Sequence, residues 1–428
     1  MAIKNDVLLG CIADDLTGAT DLASVLVRNG CSTLLLNGVP PPSLVVPESG
    51  ALIVALKSRT IAAGDAVAQS LAALRWLSKQ GTRRFFFKYC STFDSTPAGN
   101  IGPVADALLD ALHADFTIAC PAYPANGRSV YHGHLFVGDA LLSETSMRHH
   151  PLTPMSDAYL VRVLGKQTPH AVGLISIATV EQGEAAIRDH YAKLARTGVR
   201  HAIVDAYADR HLHAIAAASA DLPLVTGGAG VAMGFPDCWR ASGLLREWHV
   251  PRPLPLNQGR AAILSGSCSA ATLAQVERWQ RDGHAAFPLD PVALVQSPMA
   301  RCNAIAWVRE QPRGAPVLVY ASAPPEEVAQ AQAKLGAGNA AAVIEEAFRD
   351  IAVALAEDGI ERLIVAGGET AGAVVAALGV QSLAIGEEIC PGVPWTLATC
   401  ASGKHSLHLA LKSGNFGGPD FFAQALAA

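Results

Sequence analysis

Short apolar, β-rich runs recur along this chain, separated by longer stretches with helical spacing, and few architectures can satisfy that alternation. Val7–Ala13, Thr33–Leu36, Ala51–Leu56, Arg84–Tyr89, Phe116–Cys120, Val172–Ile177, Ala202–Asp205 and Pro223–Val225 read as strands. Their near-continuous apolar character is that of parallel strands buried on both faces. Between them Thr17–Arg28, Asp65–Lys79, Val104–His113, Val180–Arg196 and His211–Ala220 have the spacing of amphipathic helices. The same rhythm resumes later, with strands at Ala261–Ser265, Val317–Ala321, Leu363–Ala366 and Ser382–Ile385. Its helices fall at Thr272–Asp282, Glu326–Lys334, Ala340–Glu357 and Thr370–Leu378. The expectation is two α/β domains with mainly parallel sheets and a ligand cleft between them.

At 428 residues the chain exceeds what one core usually supports. The alternating prolines of Val250-Pro-Arg-Pro-Leu-Pro-Leu256 suit an extended connection. A domain over 1–250, a linker over 251–259 and a second domain over 260–428 follow. Residues Tyr123 to Pro154, rich in Gly, Pro, His and Arg, interrupt the first series and read as an insertion or a functional loop. With 50% apolar and 16% charged residues the chain can bury a large core. A net charge of −5 without a basic tract argues against nucleic acid as a partner. No apolar run approaches the roughly 20 residues that span a bilayer, and the start has no signal-peptide layout, so no membrane role and a cytoplasmic location are expected. The nine cysteines are scattered with no CxxC pair, which speaks against a disulfide or zinc framework. Whether like chains assemble is left open.

Chemistry concentrates at strand ends. In Ile12-Ala-Asp-Asp-Leu-Thr-Gly-Ala-Thr-Asp21 an apolar strand terminates in Asp14 and Asp15 and runs at once into a helix through Thr17 and Gly18. Ligands of open α/β sheets bind outside the carboxyl ends of strands, where helix-opening amides take anions and acids take hydroxyls. An N-cap would account for one of the two acids, not for both. Leu56-Lys-Ser-Arg-Thr60 and Lys88-Tyr-Cys-Ser-Thr-Phe-Asp-Ser-Thr96 bring Lys57, Ser58, Arg59 and Lys88 to the same edge, with Ser91, Thr92 and Asp94 as hydroxyl partners. Arg59 as a bidentate fork and the lysines as point charges suit a carboxylate. Together they describe a site for a small polyhydroxy acid. Asn126 and Arg128, in Cys120-Pro-Ala-Tyr-Pro-Ala-Asn-Gly-Arg128, are within reach of such a substrate. His132-Gly-His134, if on a strand, would turn both rings to one face, but no Cys or carboxylate nearby completes a metal set. The metal ligands stay unassigned.

In the second half Leu264-Ser-Gly-Ser-Cys-Ser-Ala270 and Val365-Ala-Gly-Gly-Glu-Thr-Ala-Gly372 each place glycine and hydroxyls between a strand and a helix, a layout that suits phosphate. A third glycine run, Leu411-Lys-Ser-Gly-Asn-Phe-Gly-Gly-Pro419, follows a Gly386–Trp395 segment that reads as a loop. None is a Walker A or dinucleotide fingerprint. Three such turns in one domain favour a nucleotide.

These motifs resemble the four-carbon acid sugar kinases nearly end to end. The likeness is carried by Ala13-Asp-Asp-Leu-Thr-Gly-Ala19, Lys57-Ser-Arg59, Lys88 with Ser91-Thr92-Phe-Asp-Ser95, and Cys120–Arg128, together with Ser265-Gly-Ser267, Gly367-Gly-Glu-Thr370 and Lys412-Ser-Gly-Asn-Phe-Gly417. Val130-Tyr-His-Gly-His-Leu-Phe-Val-Gly138 and Met147-Arg-His-His-Pro-Leu-Thr-Pro-Met155 resemble the 3-oxo-tetronate branch. The resemblance implies a sugar-acid-binding N-terminal domain, an ATP-binding C-terminal domain, and phosphate transfer to the 4-hydroxyl of a 3-oxo four-carbon acid with Mg²⁺ present. It places Ser265, Ser267, Gly367, Gly368, Glu369, Thr370 and Gly414 at ATP. Asp15 or Asp14 would accept the hydroxyl proton, with Arg59 neutralising charge. Kinases of unoxidised threonate or erythronate, a sugar-acid dehydrogenase and a two-lobed solute-binding protein are the alternatives. The missing GxGxxG and the missing export signal weigh against the last two.

Overall fold

The computed structural model describes residues 7–427 except 43, 45, 151, 246–253, 255–258, 298 and 401–405. Contacts divide the chain into two compact units, Met1–Pro251 and Arg252–Ala428. Of the expected linker over 251–259, all but Leu254 and Gly259 lies outside the described residues.

The first unit contains β1 (Leu9–Ala13), β2 (Thr33–Asn37), β3 (Ala51–Ala55), β4 (Phe85–Lys88) and β5 (Thr117–Cys120). A small antiparallel sheet follows, made of β6 (Arg128–Tyr131), β7 (His134–Val137) and β8 (Ala140–Leu141), and then come β9 (Ala171–Ile175), β10 (Val199–Val204) and β11 (Leu224–Gly227). Its main sheet runs β2-β3-β1-β4-β11-β5-β10-β9, with every pairing parallel. β1, β3, β4, β5 and β11 are buried at every position, which is why their sequences show unbroken apolar runs rather than alternation. From β1 the chain builds outward to β2 and β3 on one side and then returns to place β4 on the other. β1 therefore stands at the switch point where such sheets open a crevice.

The second unit contains β12 (Ala261–Ser265), β13 (Ala286–Pro288), β14 (Val317–Tyr320), β15 (Arg362–Ala366), β16 (Val380–Cys390), β17 (Val393–Cys400) and β18 (Ser406–Lys412). The order β13-β14-β12-β15-β18 is parallel, and β17 and β16 continue it antiparallel. β12 again occupies the switch point. Trp279, Trp395, Phe421 and Phe422 close one face of this sheet in an apolar cluster with Ile263, Leu318 and Ile364.

Three expectations change. Gly386–Trp395 is no loop: β16 and β17 continue through it and pair down to Cys390↔Val393, with register shifts around Glu388 that blurred the period-2 pattern. His132 and Gly133 adopt positive φ (48° and 73°) between β6 and β7, so His132 sits in the turn and the two histidines do not share a strand face. The expected helix Val180–Arg196 is two helices, Ile177–Val180 and Glu184–Arg196, parted at Gly183, whose φ is 89°. Among the described residues no helix is long and apolar enough to cross a membrane.

Candidate functional site

The parallel register delivers the predicted acids and cations to one edge. The Asp14 amide donates to Lys88 O, and the amides of Ser58 and Arg59 donate to Asp14 O at 2.9 and 3.2 Å, so the ends of β3, β1 and β4 are tied together by backbone. The Arg59 guanidinium grips Asp14 with a fork, Nε to Oδ2 at 2.8 Å and Nη2 to Oδ1 at 2.7 Å, and Nη2 also reaches Asp15 Oδ1 at 2.5 Å. The bidentate face expected for a substrate carboxylate is thus taken by Asp14. Nη1 faces Asp94 Oδ2 at 3.9 Å.

Asp15 caps the helix Leu16–Arg28, accepting from the Gly18 amide at 2.9 Å and the Thr17 hydroxyl at 2.6 Å. Burial raises the Asp14 pKa despite Arg59. Burial also works against charge on Asp15, but Arg59, Lys88, the Thr17 hydroxyl and the Gly18 amide outweigh it and hold that pKa below normal. Burial likewise disfavours the Arg59 charge, and Asp14 and Asp15 more than restore it. Lys88 is buried, donates to Tyr89 O at 2.9 Å and lies 4.0 Å from Asp21, itself buried. Thr92 donates to Asp94 Oδ1 at 2.6 Å. Ser58 and Ser91 are buried and Lys57 is exposed.

Asn100, absent from the sequence-derived set, donates its Nδ2 to the carbonyls of Ser58, Arg59 and Ile61 and so holds the arginine-bearing turn. Its only sequence signal is a polar residue heading an apolar helix, too common to single out. Asn126 and Arg128 follow β5, which lies three places from β1 in the sheet, Asn126 in a short turn and Arg128 at the start of β6. The Arg128 side chain donates to Asn126 O, and Asn126 Nδ2 is buried without a partner.

In the second unit the three glycine turns converge. The amides of Gly266 and Ser267 donate to Ala366 O, and the Gly367 amide donates to Lys412 O at 2.8 Å. A Cβ on Gly414 would lie 2.4 Å from Ser267 Oγ and 3.1 Å from Ser269 Oγ, so only glycine permits that approach. Gly367, at φ 121°, precedes the helix Gly368–Ala377 without a side-chain cap, leaving first-turn amides as an anion cradle beside Thr370. Gly368 and Glu369 are exposed, whereas Thr370 is buried. Ser265 is fully buried with its hydroxyl against Ser322 at 2.8 Å, so it shapes the turn from beneath.

Four residues that the sequence left without a role hold this cradle. Ser269 Oγ, Thr272 Oγ1 and Lys412 Nζ all donate to Gly414 O, at 2.6, 2.9 and 2.9 Å. Gln275 Nε2 donates to the carbonyls of Phe416, Gly417 and Gly418. Thr272 and Gln275 lie on the same buried stripe as Val276 and Trp279, and polar groups on an otherwise apolar stripe were the available signal. Lys412 is fully buried, and burial pushes its pKa down to about 7. Among the described residues no group of three His, Cys, Asp or Glu side chains could hold a metal ion.

Residues 9–235 match the family model described as a sugar-binding N-terminal domain, and residues 262–422 match a nucleotide-binding C-terminal domain. The 3-oxo-tetronate kinase of Cupriavidus necator is 54% identical over 421 residues, covering 98% of this chain and 96% of that protein. That of Pseudomonas fluorescens is 53% identical over 420 residues, at the same coverage. The crystal structure of a Salmonella typhimurium LT2 protein described as a tRNA synthase superposes with a TM-score of 0.83 at 44% identity, covering 97% of this chain and 98% of that one.

Proposed function

This chain belongs to the 3-oxo-tetronate kinase family, and on that premise we propose that it transfers the γ-phosphate of ATP to the 4-hydroxyl of a 3-oxo-tetronate, giving the 4-phosphate and ADP. The observation that carries this is the Arg59-centred cluster at the switch point of a unit matched to sugar-binding domains. The converging glycine turns of the nucleotide-binding unit support the ATP half of the reaction.

The acid sugar is held at the ends of β1, β3 and β4. Lys88 and the exposed Lys57 offset its carboxylate, while Thr17, Ser91, Thr92 and Asp94 meet its hydroxyl and keto oxygens. Arg59, already gripped by Asp14, acts mainly by keeping the strand-end carboxylates in place. ATP phosphates rest on the uncapped first-turn amides of the helix Gly368–Ala377, beside the Ser267 turn, with Gly414 closing that turn. Mg²⁺ bound with ATP would neutralise phosphate charge beside this cradle, as a small hard cation that takes oxygen ligands. Glu369 is the carboxylate this chain offers beside the cradle. Little covalent work falls to the protein in phosphoryl transfer, so positioning and charge compensation supply most of the rate. A net charge of −5 with no basic tract gives no support to a tRNA substrate.

The test is ADP release from Mg-ATP with four-carbon acids and their 3-oxo forms. The highest kcat/KM is expected for a 3-oxo-tetronate. Preference for threonate or erythronate would move the substrate to the unoxidised acid, and NAD reduction without ATP consumption would replace the kinase reading altogether.

A further inference from the structure

Phosphate transfer to a hydroxyl needs an acceptor for its proton, and the two carboxylates at the tip of β1 are poorly placed to supply one. Asp14 is buried with one guanidinium N–H on each oxygen, and Asp15 has one oxygen on Gly18 N and Arg59 and the other on Thr17. Asp94 is different. Its Oδ1 accepts from Thr92, while Oδ2 faces Arg59 Nη1 at 3.9 Å, beyond hydrogen-bond length. The backbone that carries it is costly: Phe93 has φ 63° and Asp94 φ 24°, a left-handed pair without a glycine. The neighbouring packing imposes this. Phe93 is fully buried with its ring edge-on to Tyr89 at 5.4 Å, and its amide donates to Cys90 O. On the far side Ser95 Oγ accepts from Gln167 Nε2 at 2.8 Å. The turn is clamped at both ends, and what it presents between them is the Asp94 carboxylate.

We propose that Asp94, aimed by this strained turn, is the general base that takes the proton of the acid sugar's 4-hydroxyl. The inference deepens the kinase reading and rests on it. As the bond from the 4-oxygen to the γ-phosphorus forms and the bond from that phosphorus to the β,γ-bridging oxygen breaks, the hydroxyl proton passes to Asp94 Oδ2. The bridging oxygen leaves with ADP, and the resulting carboxylic acid returns its proton to water after the products depart.

Asp94→Asn keeps the Thr92 contact and removes the base. The full-length variant is expected to bind the acid sugar with affinity within about fivefold of the parent and to lose 10²–10⁴ in kcat, the range for a lost general base. The low-pH limb of kcat should also disappear. The charged group facing Asp94 is Arg59 from the β3 turn, 3.9 Å away, and the Cys90 thiol of its own segment is kept neutral by burial, which raises its pKa to about 12. Asp15→Asn supplies the comparison: if Asp94 is the base, that variant keeps the low-pH limb even where its rate falls. Calorimetric binding and the melting temperature separate loss of chemistry from loss of fold. A parent enzyme active on tetronates whose Asp94→Asn variant retains kcat within tenfold, or retains the low-pH limb, overturns the assignment and leaves the kinase reading intact. A parent enzyme inactive on every tetronate overturns the kinase reading itself.

Discussion

A methyl group at Gly18 would come within 2.4 Å of Asp15 Oδ1 and 3.0 Å of Lys88 Nζ, with Arg59 Nη2 only 3.6 Å off. Neither the capping carboxylate nor the buried ammonium can retreat without giving up its own bonds. Gly18→Ala should therefore lower kcat/KM for the acid sugar by about 10²-fold, the scale set by displacements near 1 Å, while KM for ATP moves less than about threefold; initial-rate kinetics in both substrates check this. Asp15 allows a test by pH. Asparagine can still cap the helix, so Asp15→Asn keeps that role and loses the charge seen by Arg59. Because the folded pKa of Asp15 is depressed, its stabilisation is fully present above the unfolded value near 3.9 and is lost as pH falls through the folded value. The melting temperature of Asp15→Asn should lie below the parent's at pH 7, and the gap should close on acidification below about pH 4. A constant gap would place the contribution of Asp15 in the cap alone. The motif Asp-Asp-Leu-Thr-Gly announced these residues, but not that Arg59 would spend its fork on Asp14: spacing reveals which strand ends meet, not which partner wins a guanidinium.

Each unit sets its ligand motif at the end of its own first strand, β1 or β12, with neighbours added first on one side and then on the other. That placement was legible, because buried parallel strands advertise themselves as apolar runs and the polar motifs sit where those runs stop. The antiparallel end of the second sheet was not: β16 is an 11-residue strand with register shifts, and β18 carries His408 and Lys412 in its buried interior, so neither shows a clean period. Lys412 is the consequential case. Its ammonium donates to Thr272 Oγ1, Ser413 O and Gly414 O, joining the helix Ala270–Arg281 to the third glycine turn. Burial holds its pKa at about 7, so between that value and the unfolded value near 10.4 the folded chain binds fewer protons than the unfolded one. Raising pH across this window should improve the stability contribution of Lys412 while loosening its hold on Gly414, since a neutral amine has one donor fewer. KM for ATP should rise between pH 7 and 9 with KM for the acid sugar steady, and Lys412→Arg should flatten the rise. A pH-independent KM for ATP in the parent would remove Lys412 from nucleotide binding.

For the whole molecule the question is whether two ligand sites built in separate compact units can be disabled one at a time. A ligand that binds only the folded protein stabilises it by about 2.7 kcal/mol at a hundredfold excess over Kd, so each site should report its own occupancy in a thermal melt of the full chain. The parent should be stabilised by a 3-oxo-tetronate alone and by Mg-ADP alone. Gly414→Val drives a branched side chain into Ser267 Oγ, already 2.4 Å from the first added carbon, and should abolish the nucleotide response while sparing that to the acid sugar. Gly18→Ala should do the reverse. Both variants should fail in turnover, because transfer needs both ligands at once, yet for opposite reasons that the melts distinguish. If Gly414→Val removed the acid-sugar response as well, the division of labour between Met1–Pro251 and Arg252–Ala428 would be wrong, and the acid sugar would need contacts from the second unit before it bound at all.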